Sequence, residues 1–399
     1  MDPSARGQMI KRARRRRGYS QSVLAELIGR SESWLSQVER GKLTADSHEV
    51  LTRLARVLRI DVSQITGIEP EATSDMDHAI TRAIERAMMR YPALEGSNPH
   101  TDVEPTVLSA RAHHACAVYQ AARYDEVGRL LPHLIREADA AAHSPGADRP
   151  AMCSARSMVY NTTAAFLRKV GKKDLAWHAA DRAISAAEWA DQPLLSAIGA
   201  YRLAYVLISR KHPSEALELA MRAANTLEIR MRPGTPAQLS VYGGLHLAAA
   251  TAAAAEFDRS AIPGFLHQAH RVAELLGGEP NLHGTAFGHT NVAIHTISTS
   301  VMIGDARTAV ETGEELDVSA LPAGLIGRRT QVYLDLARAY TQRRQDAAAV
   351  HTLLDAERIA PQLVHCHTGT VSVLTELLRR EHRPSTPGLR PLARRVGVA

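Results

Sequence analysis

Aromatic side chains are scarce in this chain: they make up 4% of its 399 residues, with four Phe and three Trp. The 45% apolar content is therefore built mainly from Ala and Leu, which favours close-packed helices over sheet. Long apolar runs are missing too. None approaches the roughly 20 residues that span a bilayer, and the Ala-rich stretch 245–255 is short and interrupted by His246. No membrane partner is expected. Cysteine is limited to Cys116, Cys153 and Cys366, far apart and without Cys-x-x-Cys spacing, which points to a reducing, cytoplasmic setting. The basic N-terminus has no apolar segment behind it, so export is not expected either.

Catalytic signatures are equally sparse. There is no Gly-rich phosphate loop, no Gly-x-Ser-x-Gly elbow and no paired-carboxylate pattern, so neither an enzyme nor a cofactor is expected. His365-Cys366-His367 and His113-His114 stand out, but zinc needs a second ligand pair at suitable spacing. On a helix, His365 and His367 point roughly 200° apart. No metal is expected.

What is present is concentrated at one end. Residues 1–60 hold thirteen Lys or Arg against six Asp or Glu, while the whole chain carries +6. The remainder is thus nearly neutral, and the local excess predicts an acidic polymer as partner of the N-terminal segment. Met9 to Arg17 reads as a helix with Ile10 and Ala13 inward, ended by Gly18. Ser20 caps a second helix whose buried seam is Leu24, Ala25 and Ile28, and Gly29 closes it. Ser31 caps a third helix running to Arg40. Asp46, with Glu49 three residues on, caps a fourth, built on Val50, Leu51, Leu54, Ala55 and Leu58. Ile60, Val62 and Ile65 suggest a short fifth.

A tight Gly turn between the second and third helices makes this a helix-turn-helix. The outward side of the third helix carries Glu32, Ser33, Ser36 and Gln37, while Leu35 and Val38 hold it to the core. Gln37 can pair an adenine, Glu32 can accept from cytosine N4, and the serines can bond either way. Trp34 fits three places: a thymine methyl, the sugar-phosphate edge, or the domain's own core. Ser20, Gln21, Arg30, Arg40 and Lys42 flank the helix and are placed for phosphates, with extra phosphate contacts from the block Arg14 to Arg17.

The string from Ile10 through Gly18-Tyr19-Ser20-Gln21, Leu24-Ala25, Ile28-Gly29, Ser31, Leu35-Ser36 and Val38-Glu39-Arg40-Gly41-Lys42 resembles the lambda-repressor/Cro-type (XRE) helix-turn-helix family. It departs at Ala45, where such domains often place Pro. The resemblance implies a sequence-specific double-stranded DNA reader acting as a dimer on a palindromic operator. It also implies a partly buried Arg14–Glu39 ion pair tying the first helix to the third.

Beyond residue 68 the composition changes. A polar helix is expected over 74–91, with Met76, Ile80, Ile84, Ala87 and Met88 as its stripe, followed by a linker rich in Gly, Ser, Asn and Pro over 95–105. That helix can pack on the head, pair with another chain, or open the next domain. From Val107 to Pro361 about six helix-pair units recur at roughly forty-residue offsets. The clearest holds Tyr333, Leu336, Ala337, Tyr340, Ala349, Leu353, Ala356 and Pro361. Others are anchored by Ala112 and Tyr119, by Tyr160 and Ala180, by Ala200 and Ala220, by Leu245 and Phe265, and by Ile297 and Ala309. A capping helix is expected over 363–380.

These units resemble tetratricopeptide repeats, whose first helices line a concave wall. On that wall the pattern places His113, Asn161, Tyr201, Tyr205, His246, Asn291 and Arg338 as candidate ligand-groove residues. The expected architecture is all-α: a five-helix lambda-repressor-like head (1–68), a linker with one helix (69–105), a tetratricopeptide-repeat solenoid for sensing and dimerisation (106–382) and a disordered basic tail (383–399). Head and body together resemble the peptide-sensing quorum regulators of Gram-positive bacteria. The resemblance implies a homodimer whose body binds a short peptide, a small molecule or a protein. The alternative is a protein–protein adaptor that uses the repeat groove, with DNA binding secondary.

Overall fold

The computed structural model describes residues 3–45, 48–58, 65, 75–91, 103–144, 148–230, 234–382 and 384–398. Asp46, Ile60, Val62 and the linker stretch 95–102 lie outside the described residues, as do the side chains of Glu49 and Met76. Among the described residues the regular structure is helical throughout. Contacts divide the chain into two compact units. One comprises 1–72 with 341–350 and 368–399, and the other comprises 73–340 with 351–367.

In the first unit, α1 (Pro3–Arg16), α2 (Gln21–Leu27), α3 (Glu32–Glu39) and α4 (His48–Leu58) form the head. The Ser20 hydroxyl accepts from Val23 N at 3.1 Å, and the Ser31 hydroxyl from Trp34 N at 3.2 Å. These two caps fix where α2 and α3 begin. Gly29, with φ +68°, makes the turn between them. Ile10, Leu24, Ile28, Leu35, Val38, Leu54, Leu58 and Ile65 meet in one core. Gly7 sets how closely α1 crosses α3, since a Cβ there would sit 2.2 Å from Val38 O. Ala45 is buried, and its carbonyl accepts from Arg6 Nη1 at 3.4 Å.

The second unit opens with α5 (Asp75–Met88), whose Ile80 touches α7 where Gly128 leaves room. Within this chain, that contact packs the helix on the body. Helix pairs follow in order. They are α6 (Pro105–Gln120) with α7 (Tyr124–His143), α8 (Arg149–Lys169) with α9 (Lys173–Trp189), and α10 (Pro193–Ser209) with α11 (Pro213–Arg230). Next come α12 (Pro236–Glu256) with α13 (Ile262–Leu276), α14 (His289–Ile303) with α15 (Ala306–Glu315), and α16 (Ile326–Gln342) with α17 (Asp346–Ile359). From α6 to α15 each helix packs on its neighbour, and the first helices α6, α8, α10, α12 and α14 also pack on one another in series. This is a tetratricopeptide-like array. Its alanines are the reason it closes up: Ala176, Ala180, Ala183, Ala216, Ala220 and Ala224 are fully buried. Gln362 Oε1 accepts from Tyr124 N at 2.8 Å, which bonds the start of the array to α18 (Pro361–Cys366) near its end.

Two expectations are corrected. The capping helix over 363–380 is broken at His367, whose ψ of 116° separates α18 from α19 (Thr368–Arg379). The tail is not disordered: α20 (Leu389–Val396) buries Leu389, Leu392, Ala393 and Val396 and packs on α19. Its apolar positions follow helical spacing that the surrounding Pro and Arg residues mask in the sequence. In the same unit, the Arg380 guanidinium bonds both oxygens of Asp346 and the carbonyl of Thr341.

Candidate nucleic-acid interface and the interior of the repeat body

On α3, Leu35 and Val38 are buried at 0% and 1% exposure, while Glu32 and Ser33 are exposed and Ser36 and Gln37 are half-buried. Gln37 Nε2 donates to Ser33 Oγ at 3.4 Å, leaving the face available to an incoming acceptor or donor. Trp34 is half-buried and packs against the head's core, with the Arg30 guanidinium 5.6 Å from its ring centre. Of the three places open to Trp34, the isolated chain uses the last. Arg40 folds back along α3, its Nη2 donating to Ser36 Oγ at 3.0 Å, and Lys42 is exposed.

Arg14 and Glu39 meet side-on. Nε to Oε1 is 2.6 Å and Nη2 to Oε2 is 2.9 Å, with both residues over nine-tenths buried. The Glu39 carboxylate raises the Arg14 pKa, so the cation persists at every working pH. Arg14 Nη1 also donates to Tyr19 O at 2.7 Å, and Gln21 Nε2 to Glu39 Oε2 at 2.7 Å. The Gln21 amide, assigned to phosphate above, is thus turned toward the ion pair. Ser20 is occupied as a cap. Together these bonds fix the angle of α3 against α1.

In the body, the seven groove candidates do not form one site. His113 and Asn161 line a cavity of about 150 Å³ between α6, α8 and α10. Tyr201 and Tyr205 stack edge-on with ring centres 5.2 Å apart. Tyr205 donates from its hydroxyl to His295 Nε2 at 2.8 Å, because His295 Nδ1 is committed to Asn291 O. Burial, reinforced by Arg328, pushes His295 down to about 3, so its ring is neutral. Asn291 is 1% exposed and donates to Thr285 O, so it lies inside the packing and off any open wall. His246 is likewise buried, between Tyr242 and Phe265. Arg338 lies near Asp335 and His367.

Sequence patterning passes over several residues that the structure brings together. Asp335 accepts from Ser298 and from Gln331 Nε2, and Lys169 Nζ donates to Gln331 Oε1 at 3.2 Å. Burial lowers Lys169 to about 7. The segment 277–288 forms a strap: Gln120 and Asn281 exchange amide bonds at 3.2 and 2.7 Å, and Ser240 bonds Thr285 at 2.9 Å. The Phe287 ring lies directly over Gly243. The signal was there, in four glycines and a proline within twelve residues. Among the described residues, no group of three or more His, Cys, Asp or Glu is placed to hold a metal ion, and no helix is long and apolar enough to cross a membrane.

With the head's geometry established, comparison with known proteins gives its class. Residues 7–65 match the family described as a helix-turn-helix domain, and the head is such a domain. Among named proteins it is similar to the HTH-type transcriptional regulator SinR of Bacillus licheniformis and of Bacillus subtilis (strain 168). Each is 38% identical over 69 residues, which is 17% of this chain and 62% of the relative's length. The matched region therefore falls short of two thirds of those relatives. A solved structure, the crystal structure of Bacillus thuringiensis PlcR in complex with the peptide PapR7 and DNA, aligns over 95% of this chain and 98% of that one. Its TM-score is 0.28 and its identity 12%.

Proposed function

We propose that the protein is a sequence-specific DNA-binding transcriptional regulator whose repeat body dimerises and binds a regulatory ligand. The observation that carries the reading is the division of α3. Leu35 and Val38 lie in the core, and the polar face of Glu32, Ser33, Ser36 and Gln37 is turned outward between Arg30, Arg40 and Lys42. An α-helix so presented enters the major groove, its side chains reading base edges while the flanking cations hold phosphates. The net positive charge of the head and its likeness to proteins named as transcriptional regulators support the same reading. A single head buries too little DNA for operator affinity, so two heads act on half-sites about 10 bp, or a multiple, apart.

Sequence-resolved binding to fragments of the source genome, against random DNA at the same ionic strength, tests this. A preferred palindromic site is the expected result. Equal affinity for all fragments would overturn the reading in favour of an adaptor.

A further inference from the structure

The cavity between α6, α8 and α10 is roofed by the strap, with Asn281, His283 and Gly284 in its lining. Its volume, about 150 Å³, is of the size that holds a benzene-sized guest. Two of its polar side chains have unfilled bonds. Asn161 is 6% exposed; its Nδ2 donates to Ser157 O, and its Oδ1 has no partner. Arg202 donates from Nη2 to Gly284 O at 3.0 Å, while its buried Nε has none. No Asp or Glu lines the cavity, so the Arg202 charge is not neutralised there. Burial and the neighbouring His113 keep His283 low, which leaves its ring neutral. Met158, Leu195 and Ile198 supply an apolar wall.

The roof is strained. His283 and Ala286 are held at φ +52°, a conformation unfavourable for a residue with a side chain that persists only where its surroundings impose it. Gly284 O accepts from Gln120 Nε2 as well as from Arg202, so the strap is latched to α6 by the Gln120 amide and to α10 by the very guanidinium that faces the cavity.

We propose that this cavity binds a small aliphatic 2-hydroxy carboxylate, with its carboxylate on Arg202, its hydroxyl donating to Asn161 Oδ1 and its hydrocarbon against Met158, Leu195 and Ile198. An unpaired guanidinium in an acid-free cavity selects an anion. The same lack of acid rejects an ammonium, so the donor offered to Asn161 is a hydroxyl. The ligand carboxylate competes with Gly284 O for Arg202, and binding loosens the latch of the strap. The proposal rests on the reading of the body as a sensor only for what binding does; occupancy itself is independent of DNA.

Calorimetric titration of the full chain with 2-hydroxy-3-methylbutanoate tests it, alongside the methyl ester, 3-methylbutanoate and valine. The hydroxy acid should bind, and each of the other three should bind about tenfold or more weakly. Arg202→Met should abolish binding, and Asn161→Leu should reduce it to the level of the deoxy acid. In the unsubstituted protein the hydroxy acid should also protect Cys116, a lining residue, from alkylation while leaving Cys366 unaffected. The proposal is overturned by the absence of both heat and protection at millimolar ligand. Equal binding of the ester or of valine, or unchanged binding in both variants, also overturns it. A protein that selects an operator yet ignores the acid sinks this inference alone; one that takes the acid yet shows no DNA preference sinks the reading of the head.

Discussion

The head and the body place their polar groups by opposite means. In the head, the base-reading side chains and most of the phosphate candidates come from Ser20 to Lys42, on two short helices, the turn between them and their flanks. The cavity of the body takes its lining from α6, α8, α10 and the strap, spread over residues 112–284. A site built from one contiguous segment needs only local rules of capping, turning and spacing. A site assembled from four segments exists only once the array has closed.

The largest expected effects probe how each region is held. Glu39→Ala leaves the buried Arg14 cation unpaired and removes the acceptor of Gln21, a loss of about 3–5 kcal/mol in a chemical denaturation of the head. If the loss were no larger than that of an exposed pair, α3 would be held by packing alone. Phe287→Ala removes a fully buried ring and should cost the body about 3–5 kcal/mol. DNA affinity of a single head should be unchanged, and an equal loss in the head's own unfolding transition would break the contrast between the regions.

Smaller effects sharpen the division of labour on α3. Gln37→Ala should lower discrimination at one base position by about 1–3 kcal/mol, read as flattened preference in a binding-site selection. Arg40→Ala should weaken specific and random DNA alike and reduce the salt slope by about one. Identical losses for both substitutions on both kinds of DNA would remove the distinction between reading and gripping.

The subtlest test concerns acid. Burial takes His295 and His367 down to about 3, against about 6.5 in an unfolded chain. Between those values the unfolded body binds more protons than the folded one. Their contribution is therefore complete above about pH 6.5 and is lost as pH falls through that window. Asp335, whose carboxyl is raised by burial, acts in the opposite sense. A difference measurement isolates the imidazole: His295→Gln should make stability fall less steeply from pH 6.5 to 4 than in the unsubstituted protein. Equal slopes would assign the acid response to other groups.

The legibility of the two regions differs for the same reason. Ser20, Gly29 and Ser31 announce their caps and turn in the sequence, and Leu35 and Val38 announce the buried seam three residues apart. In the body, helix pairs were legible from alanine spacing, yet the placement of side chains on them was not. Asn291 and His246 share the periodicity of wall residues but are buried, because the strap and α13 cover them. The tail helix escapes sequence patterning because Leu389, Leu392 and Val396 show their common face only when α19 is there to receive it.

From residue order alone came the helical class, the basic head and the repeat, since each depends on chain-local spacing and composition. Which amide turns inward at Gln21, which guanidinium lacks an acid at Arg202, and how residues 277–288 cover an interior wall were decided by tertiary packing. Burial and the supply of bonding partners belong to neighbours that meet only in the folded chain.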